Sequence, residues 1–278
     1  MSERSLSVIG LGFMGGSIAA AARKHAGVSR VIGVDPDSRH REIALEHGLI
    51  EEAFPSLCSE AVAVDLVVVC APVNCIADLI LEASKLCSAE TLLTDIGSTR
   101  GRIESAVRER LPKDRLYIGG HPLAGSEKHG PEESEADLFQ NRKTILTGVL
   151  ESSALSRATD FWTSLAAVCW EMRASDHDRA LAFTSHLPHL LSYALCQVLP
   201  SEYRELTASG FRDMSRLAGS DVELWMPIIE HNQDAVSDAL SSMVETLTAM
   251  RDLVSDGSWD QLSELLMRGH QQRPDSEN

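Results

Sequence analysis

Two glycines and a histidine-proline pair follow a short apolar run in the stretch Gly119–Glu127. The run before it, Leu116–Ile118, predicts a strand that ends at Ile118. Pro122 disfavours the helical region for the residue before it, so His121 is expected to be held extended on a stiff loop. Because the unperturbed pKa of histidine lies near neutrality, His121 is a candidate acid/base group. On this stretch alone, a loop histidine that only packs or caps remains the alternative.

A second stretch, whose residues could bind a ligand, is a glycine loop between a strand and a helix. The sequence GLGFMG (10–15), which includes Phe13 and Met14, follows the apolar strand 5–9, and a helix opens after it at Gly16. In this GxGxxG pattern Gly10 makes the turn, Gly12 admits a pyrophosphate, and Gly15 lets the helix pack on the strand. The pyrophosphate would lie on the helix N-terminus, where free N–H groups favour an anion.

The residue expected to bind the adenosine ribose lies twenty positions after the last of these glycines. Asp35 ends the next predicted strand, 30–34. A carboxylate there bonds the adenosine ribose hydroxyls and repels a 2′-phosphate, so it favours NAD. Arg39 and Arg41 follow closely and leave NADP open. The alternative is a structural glycine turn with a surface aspartate.

A helix predicted over residues 175–199 carries polar groups in apolar surroundings. Ser185 and His189 are four residues apart and share a helical face. Pro188 costs a backbone hydrogen bond and predicts a kink beside them. For His186 and His189 the alternative is that each is a satisfied core histidine.

Three other features belong to the carboxyl-terminal half. Residues 175–178, Ser-Asp-His-Asp, resemble a capping box that starts the helix. Arg212 and Arg216 lie four apart, with apolar residues between them. Arg212 is expected to be structural. Asp221 is expected to cap one long amphipathic helix over 222–254. The apolar face of this helix carries too few polar residues to remain exposed to solvent, which predicts a homodimer.

Strands alternate with helices through the first half of the chain, which predicts an α/β fold with a parallel sheet. Because ligands bind outside the carboxyl ends of such strands, one crevice should collect the residues that follow them. Those residues are the glycine loop 10–15, Asp35, Ala71, Pro72, Val73, Ser98 and His121. The predicted domains are a Rossmann-type dinucleotide-binding domain over 1–150, an all-helical substrate and dimerisation domain over 151–270, and a disordered tail over 271–278.

Composition limits the class of partner. The 278 residues are 44% hydrophobic, and the formal net charge is −16, which argues against nucleic acid and anionic membranes. No apolar run is long enough for a membrane span, and the start of the chain leads into a strand without the pattern of a signal peptide. The six cysteines form no CxxC pair and no metal-ligand cluster, so reduced thiols in the cytoplasm are expected.

Several motifs in order resemble the prephenate/arogenate dehydrogenase family of tyrosine biosynthesis. They are GLGFMGGSIA (10–19), DIGSTR (95–100), GGHPLAGSEKHGPE (119–132), TSHLPHLL (184–191) and GFRDMSRLAGSD (210–221). The resemblance spans about residues 5–255. It implies a dinucleotide-binding domain followed by a helical domain that dimerises. The implied reaction of this oxidoreductase is NAD-dependent oxidative decarboxylation of prephenate to 4-hydroxyphenylpyruvate.

The resemblance also implies roles for single residues. The histidine that matches His121 is catalytic in the family, with the serine that matches Ser98 beside it. The substrate pocket is lined or gated by the residues that match Ser126, Glu127, Ser185, His189 and Arg216. Because prephenate carries two carboxylates, Arg216 is the choice for a bidentate anchor. Two departures, Arg100 for a common lysine and His129 for a common serine, are expected to touch none of these residues. The chain leaves little room for a regulatory domain, so feedback by tyrosine would act at the substrate site.

Alternatives to prephenate dehydrogenase remain at this point. Arogenate or dual-substrate (cyclohexadienyl) dehydrogenase differs by an amino group in place of a keto group on the substrate side chain. A 3-hydroxyacid dehydrogenase of similar build would use a lysine base on the interdomain helix, and residues 175–199 contain no lysine. A non-catalytic NAD-sensing protein would bind the dinucleotide without turnover.

Overall fold

In the described part of the chain the sheet has eight strands, and their order reverses beside the first strand. The computed structural model describes residues 5–125, 128–148 and 152–274, and the strands run in the order β3-β2-β1-β4-β5-β6-β7-β8. Their bounds are β1 Ser5–Ile9, β2 Arg30–Val34, β3 Glu52–Phe54, β4 Leu66–Val69, β5 Leu92–Asp95, β6 Leu116–Pro122, β7 Lys143–Thr147 and β8 Val168–Glu171. The first six follow the order 3-2-1-4-5-6 of a doubly wound dinucleotide-binding sheet, which confirms the predicted α/β class.

Helices cover both faces of this sheet. They are α1 Phe13–His25, α2 Ser38–Glu46, α3 Val73–Leu86, α4 Gly101–Arg110 and α5 Ser153–Ser164. The β-branched run of β4 is buried along its whole length, as expected of a central parallel strand with helices on both sides. The carboxyl ends of β1, β2, β4 and β5 therefore meet at one edge, where the predicted crevice residues follow them.

Strand β6 is longer than the sequence predicts. It pairs in parallel with β5 as far as Gly119, and from Gly119 to Pro122 it pairs with β7 in the antiparallel sense. His121 therefore lies within the strand, opposite Ile145, and not on a loop beyond Ile118. The antiparallel partner replaces the parallel one, so the backbone stays extended and fixes the position of His121 by hydrogen bonds on the β7 side.

The sheet also extends past the domain boundary predicted at residue 150. Strand β8 lies in the segment predicted to be all-helical, and it pairs in parallel with β7 over Lys143–Leu146. Helix α5 packs on the sheet through its buried side chains Phe161 and Trp162. We therefore assign residues 152–171 to the sheet domain and begin the helical domain near residue 172.

The helical domain contains six α-helices among the described residues. They are α6 Ala174–Leu181, α7 Leu187–Val198, α8 Ser209–Ser215, α9 Val222–His231, α10 Gln233–Ser255 and α11 Trp259–Gln271. A π-helical turn, Ala182–His186, joins α6 to α7 without a break. Its wider spacing precedes Pro188, which has no backbone N–H to offer, so the irregularity predicted from that proline lies in the turn before it.

One other sequence-based prediction for this half was wrong. The single helix over 222–254 is divided at Asn232, whose backbone leaves the helical conformation between α9 and α10. Asp221 does cap α9, by accepting from the amide of Glu223 at 2.9 Å. The helix α11 continues to Gln271, so the first residue of the predicted disordered tail is helical. None of the described helices is both long enough and apolar enough to cross a membrane.

Candidate active site

The glycine loop has the shape that a bound dinucleotide requires. Gly10 has φ of +95°, and a Cβ on it would overlap the carbonyl oxygen of Cys70. A Cβ on Gly15 would overlap the carbonyl oxygen of Gly10, which is why the helix can lie so close to the strand. A Cβ on Gly12 would meet nothing within 4 Å, so the backbone faces open space there. The middle glycine thus leaves room for a pyrophosphate.

The start of α1 supplies donors to that space. Gly12 is the N-cap residue and no side chain caps the helix, so the first-turn amides, including those of Phe13 and Met14, remain available. The first turn contains no acidic residue that would repel an anion. The Phe13 side chain is buried, so its contribution would come from its backbone. The residues present therefore fit the diphosphate of NAD.

Asp35 is fixed beside this loop. Its Oδ2 accepts from the amide of Leu11 at 2.7 Å, and its Oδ1 accepts from the amide of Asp37 at 2.9 Å. The carboxylate is buried, with 6% exposure, and faces the loop from the end of β2. Arg41 donates to the carbonyl oxygens of Asp35 and Pro36, at 2.6 and 2.9 Å, so its guanidinium is held by the backbone.

Two further strand ends complete the crevice predicted from the sequence. Ala71 and Pro72 follow β4, and Pro72 is the N-cap residue of α3. Ser98 follows β5 and is half-buried. Among the residues that the structure describes, none makes a hydrogen bond to the Ser98 hydroxyl, so that hydroxyl can meet a ligand.

His121 is bonded to a residue of the helical domain. Its Nδ1 lies 2.8 Å from Nε2 of His177 in α6. His177 Nδ1 in turn lies 2.8 Å from Oδ1 of Asp178, and the Asp178 carboxylate also accepts from the backbone amides of Arg100 and Gly101 at 2.8 and 2.7 Å. His177 is fully buried. The start of α4 thus anchors a chain of three side chains that ends at His121.

Burial keeps both of these histidines neutral. It lowers the pKa of His121 well below its ordinary value, and His177, Arg100 and His186 act in the same direction. Burial also lowers the pKa of His177, against the opposing effect of Asp178. Burial alone would raise the pKa of Asp178, but the hydrogen bonds from His177 and the two amides hold it below its ordinary value. The group at the crevice is therefore a neutral imidazole at neutral pH.

Arg100 touches this site, contrary to the expectation from the sequence. Its side chain has no exposure and is bonded to Asp95, to Tyr117 Oη at 2.9 Å and to Thr147 Oγ1 at 3.0 Å. A Cβ on Gly119 would overlap the Arg100 guanidinium, so the first glycine of the Gly-Gly-His-Pro stretch makes room for this cation. Arg100 thus supports the strand that carries the catalytic candidate.

In the helical domain, the candidate His189 packs on an indole ring. His189 stacks on Trp225, with ring centroids 3.5 Å apart, and its Nδ1 lies 3.0 Å from the Ser185 carbonyl oxygen. Burial lowers the pKa of His189, and the charge of Arg216 acts in the same direction. Arg216 is exposed, and no described carboxylate forms an ion pair with it.

His186 also lies beside Trp225, edge-on with ring centroids 6.0 Å apart, but its polar contacts differ from those of His189. It is buried, and its Nδ1 lies 3.1 Å from Nδ2 of Asn232, which also donates to the Asp178 carbonyl oxygen at 2.7 Å. His186 is therefore a hydrogen-bonded core histidine, which is the alternative that the sequence analysis kept for it. Arg212 donates to the Thr207 carbonyl oxygen at 3.2 Å, as a structural residue would. Ser126 and Glu127 lie outside the described residues.

Sequence reasoning missed His177, Asp178, Trp225 and Asn232. It interpreted residues 175–178 as a capping box, but α6 begins at Ala174 after Arg173, and no side chain caps it. A signal was present, because His177 and Asp178 share the buried face of α6 with Leu181. Two polar residues on an apolar helical face need partners, and such partners are often functional.

Two family models match consecutive parts of the chain. Residues 18–171 match the model described as prephenate dehydrogenase, nucleotide-binding domain. Residues 173–268 match the model described as prephenate dehydrogenase, dimerization domain. The junction between the two matches agrees with the boundary that β8 sets in the structure.

Individual proteins resemble the chain over most of its length. It is 30% identical over 259 residues to a prephenate dehydrogenase of Bacillus subtilis (strain 168), an alignment that covers 90% of this chain and 70% of the relative. A cyclohexadienyl dehydrogenase of Zymomonas mobilis is 27% identical, with 94% of this chain and 92% of the relative covered. The structure is similar to that of a prephenate dehydrogenase from A. aeolicus in complex with hydroxyphenyl propionate and NAD+, with a TM-score of 0.89, 28% identity and 97% of each chain covered.

Proposed function

Because the chain belongs to the prephenate dehydrogenase family, we propose that it catalyses the NAD-dependent oxidative decarboxylation of prephenate to 4-hydroxyphenylpyruvate. The observation that carries the proposal is the position and state of His121. It is a neutral imidazole at the carboxyl edge of the sheet, at the same edge as a glycine loop shaped for a dinucleotide. A neutral histidine at such a site can act as a general base.

His121 needs to hold one proton only briefly. The ring carbon that bears the 4-hydroxyl loses a hydride while His121 accepts the hydroxyl proton, so that a ketone forms. Loss of the ring carboxylate as CO2 makes the ring aromatic, and the same oxygen takes the proton back as a phenol. The overall reaction thus releases no proton. The protein supplies positioning, a base and a cofactor site.

The cofactor site is formed by residues at the ends of β1, β2, β4 and β5. Bound NAD supplies the acceptor for the hydride. Gly10, Gly12 and Gly15 with the amides of Phe13 and Met14 would hold its diphosphate, and Asp35 would bond the ribose hydroxyls. Ala71, Pro72 and Ser98 would line the nicotinamide end, and Ser98 would also orient the hydroxyl on which His121 acts. Because the Arg41 guanidinium is held by a backbone carbonyl oxygen and is not available to a 2′-phosphate, it supports NAD over NADP.

The substrate carboxylates need a cation in a protein with a net charge of −16. We assign this role to Arg216, because its guanidinium is unpaired among the described carboxylates and lies close enough to lower the pKa of His189. Ser185 and His189 would contact the substrate from the same helical face, and Ser126 and Glu127 would line or gate the pocket. A planar guanidinium can bind a carboxylate through two parallel hydrogen bonds.

A second candidate substrate is supported by one relative. The Zymomonas mobilis protein is a cyclohexadienyl dehydrogenase, an enzyme name that covers both prephenate and arogenate. The two substrates differ only in a keto or amino group on the side chain, at a distance from the reacting carbon. Arogenate or dual specificity is therefore the alternative to a prephenate enzyme.

We also infer a homodimer formed through the helical domain, in the cytoplasm. The helical domain exposes large apolar side chains that a monomer would leave in water. They include Leu206, Met214, Met226, Val244, Leu247 and Leu266. The family model that matches this part is described as a dimerization domain. All six cysteines are free thiols, which supports a reducing compartment.

The proposal is tested by assaying the purified chain at 340 nm with prephenate and with arogenate, each with NAD and NADP. We expect the highest kcat/KM for prephenate with NAD, with 4-hydroxyphenylpyruvate and CO2 as products. Equal or better use of arogenate would select the alternative. NAD binding without turnover of either substrate would contradict both and indicate a dinucleotide-sensing protein.

A further inference from the structure

The hydrogen bonds behind His121 determine which of its nitrogens carries the proton. Asp178 lies at the far end of these hydrogen bonds, and its ionised carboxylate can only accept them. Arg100 and Gly101 donate to it from their backbone amides, and the third contact comes from His177 Nδ1 at 2.8 Å. Because an acceptor can be bonded only by a donor, His177 carries a proton on Nδ1.

The Nδ1 proton of His177 in turn fixes the direction of the hydrogen bond between His177 and His121. His177 is buried and neutral, so with its proton on Nδ1 its Nε2 presents a lone pair. His121 Nδ1 lies 2.8 Å from that lone pair and must donate to it. Neutral His121 therefore keeps Nε2 unprotonated, and Nε2 is the atom that can accept a proton from a ligand in the crevice.

We propose that His177, itself oriented by Asp178, is a positioning residue that holds His121 in the tautomer with a free Nε2 lone pair. The proposal rests on the proposed function, since it concerns the base of that reaction. A neutral histidine in water prefers the opposite tautomer, with its proton on Nε2. The protein must overcome this preference, because an Nε2–H group could donate to the substrate hydroxyl but could not remove its proton.

The charges around the histidine pair agree with a positioning role. The ionisable groups that act on the two rings are Asp178, Arg100, Glu104 and His186. Asp178 favours a proton on His177, whereas buried Arg100 opposes added positive charge on either ring. Because the reaction returns its proton to the oxygen that gave it, no path to solvent is required. His177 needs only to accept one hydrogen bond from His121.

The direct test is 15N NMR of histidine-labelled full-length protein without substrate, at pH 7.5. The 15N shift separates a protonated from an unprotonated ring nitrogen, and the His121→Asn variant identifies the His121 signals. We expect a protonated Nδ1 and an unprotonated Nε2 for His121. An Nε2-protonated His121 would overturn the proposal. Because this measurement uses no substrate, it is independent of whether prephenate is the substrate.

Variants of His177 then test the consequence for the reaction. In His177→Gln the amide oxygen can occupy the place of Nε2 and accept from His121, but it cannot accept a proton. His177→Leu offers no acceptor. We expect kcat to fall by about 10²–10⁴-fold in His177→Leu, the usual contribution of a general base, and to stay within about 10-fold of wild type in His177→Gln. His270→Gln, on exposed α11, is the matched control.

The pattern across the variants distinguishes positioning from a merely structural role. The KM for NAD and the unfolding midpoint in urea should be unchanged in His177→Gln, and the His121 tautomer should be retained. Equal loss of kcat in both variants, with the tautomer retained in His177→Gln, would indicate proton transfer through His177 and overturn the positioning role. If His177→Leu does not fold, the wild-type NMR result and His177→Gln still decide the matter.

Discussion

Arg100 and Asp95 form an ion pair in which neither side chain has any exposure to solvent. The pair lies directly behind the Gly119–Gly120 backbone that leads into His121, and Tyr117 Oη donates to the Asp95 carboxylate at 2.8 Å. Arg100 therefore acts twice on the site, through its guanidinium under β6 and through its amide on Asp178. Arg100 was not expected from the sequence to touch the site, yet it links the sheet domain and the helical domain beside His121.

Removal of the Arg100 charge should destabilise the fold. In Arg100→Met the Asp95 carboxylate would stay buried without its cation, and breaking a buried pair on one side costs about 3–5 kcal/mol. Arg100→Lys keeps the charge but loses the bidentate contact and the bonds to Tyr117 and Thr147, so we expect a smaller loss of about 1–3 kcal/mol. Urea unfolding measures both. A loss below about 1 kcal/mol in Arg100→Met would contradict the structural role.

Gly12 and Gly15 should respond differently to the same substitution. In Gly12→Ala the new methyl group enters open space and the backbone φ of −69° suits any residue, so stability should change by less than about 0.5 kcal/mol. The methyl group would, however, occupy the space for the pyrophosphate, and we expect the Kd for NAD to rise about 10-fold or more. Calorimetric titration with NAD measures this effect.

Gly15→Ala is the matched variant. Its methyl group would overlap the backbone of Gly10, so we expect a loss of about 1–3 kcal/mol in unfolding free energy as α1 moves away from β1. If both variants lost stability and NAD binding to the same extent, the division of roles between the two glycines would be wrong. Urea unfolding and the same titration on each variant separate the two effects.

Local patterns predicted the sheet domain well because its signals are local. A continuous β-branched run, a glycine loop and a strand-terminal aspartate each depend on a few neighbouring residues, and the position of β4, the turn at Gly10 and the place of Asp35 followed from them. The extension of β6 to Pro122 depends on pairing with β7, which lies more than 20 residues further along the chain. The residues before and after His121 contain no signal for that partner.

The second half of the site was less predictable because its contacts span the two domains. His121 and His177 are 56 residues apart, and Arg100 and Asp178 are 78 apart. The Ser-Asp-His-Asp run has the composition of a helix start, so a local rule explained it completely and gave no reason to look for a distant partner. The division of the long helix at Asn232 was missed for the same reason, since Asn232 is held by bonds to His186 and to the Asp178 carbonyl oxygen.

Arg216 and Arg212 provide a paired test of substrate anchoring. We expect Arg216→Ala to raise the KM for prephenate by about 10- to 150-fold, the equivalent of losing a hydrogen bond between charged groups of about 1.5–3 kcal/mol. The KM for NAD should not change, because the cofactor lies at the strand ends. Arg212→Ala, which removes a cation from the same segment, should leave the KM for prephenate within about 3-fold. Steady-state kinetics measures all four constants, and a larger effect of Arg212→Ala would transfer the anchor to that residue.

The stability of the protein should decrease in mild acid because buried histidines must remain neutral in the fold. Burial lowers the pKa of His186 to about 4, whereas in the unfolded chain it is near the ordinary 6.5. The unfolded state therefore takes up the proton first as pH falls, so the contribution of His186 is full above pH 6.5 and is lost between 6.5 and 4. From pH 8 to pH 5 this amounts to about 2 kcal/mol. His121 and His177 act in the same direction.

Urea unfolding of wild type and His186→Gln at pH 8 and pH 5 isolates that contribution. Glutamine offers an amide oxygen to Asn232 but does not titrate, so the variant should lose about 2 kcal/mol less than wild type over this interval. His47→Gln, at an exposed site, is the control and should behave as wild type. An equal pH dependence in His186→Gln and wild type would mean that His186 does not carry the effect.

The pH dependence of catalysis gives the test on which the proposed reaction depends. Because burial and the nearby Arg100 guanidinium lower the pKa of His121 well below 6.5, kcat/KM for prephenate should stay level as pH falls through 6.5 and decline only at lower pH, with one proton involved. His121→Asn keeps a side-chain N–H that can donate to His177 but cannot accept a proton. We expect kcat to fall by about 10²–10⁴-fold and the acid limb to disappear, as for loss of a general base. The Kd for NAD should barely change, because the glycine loop and Asp35 hold the cofactor. Loss of NAD binding together with activity would indicate a structural histidine, and near-normal kcat with the acid limb intact would assign the base to His189.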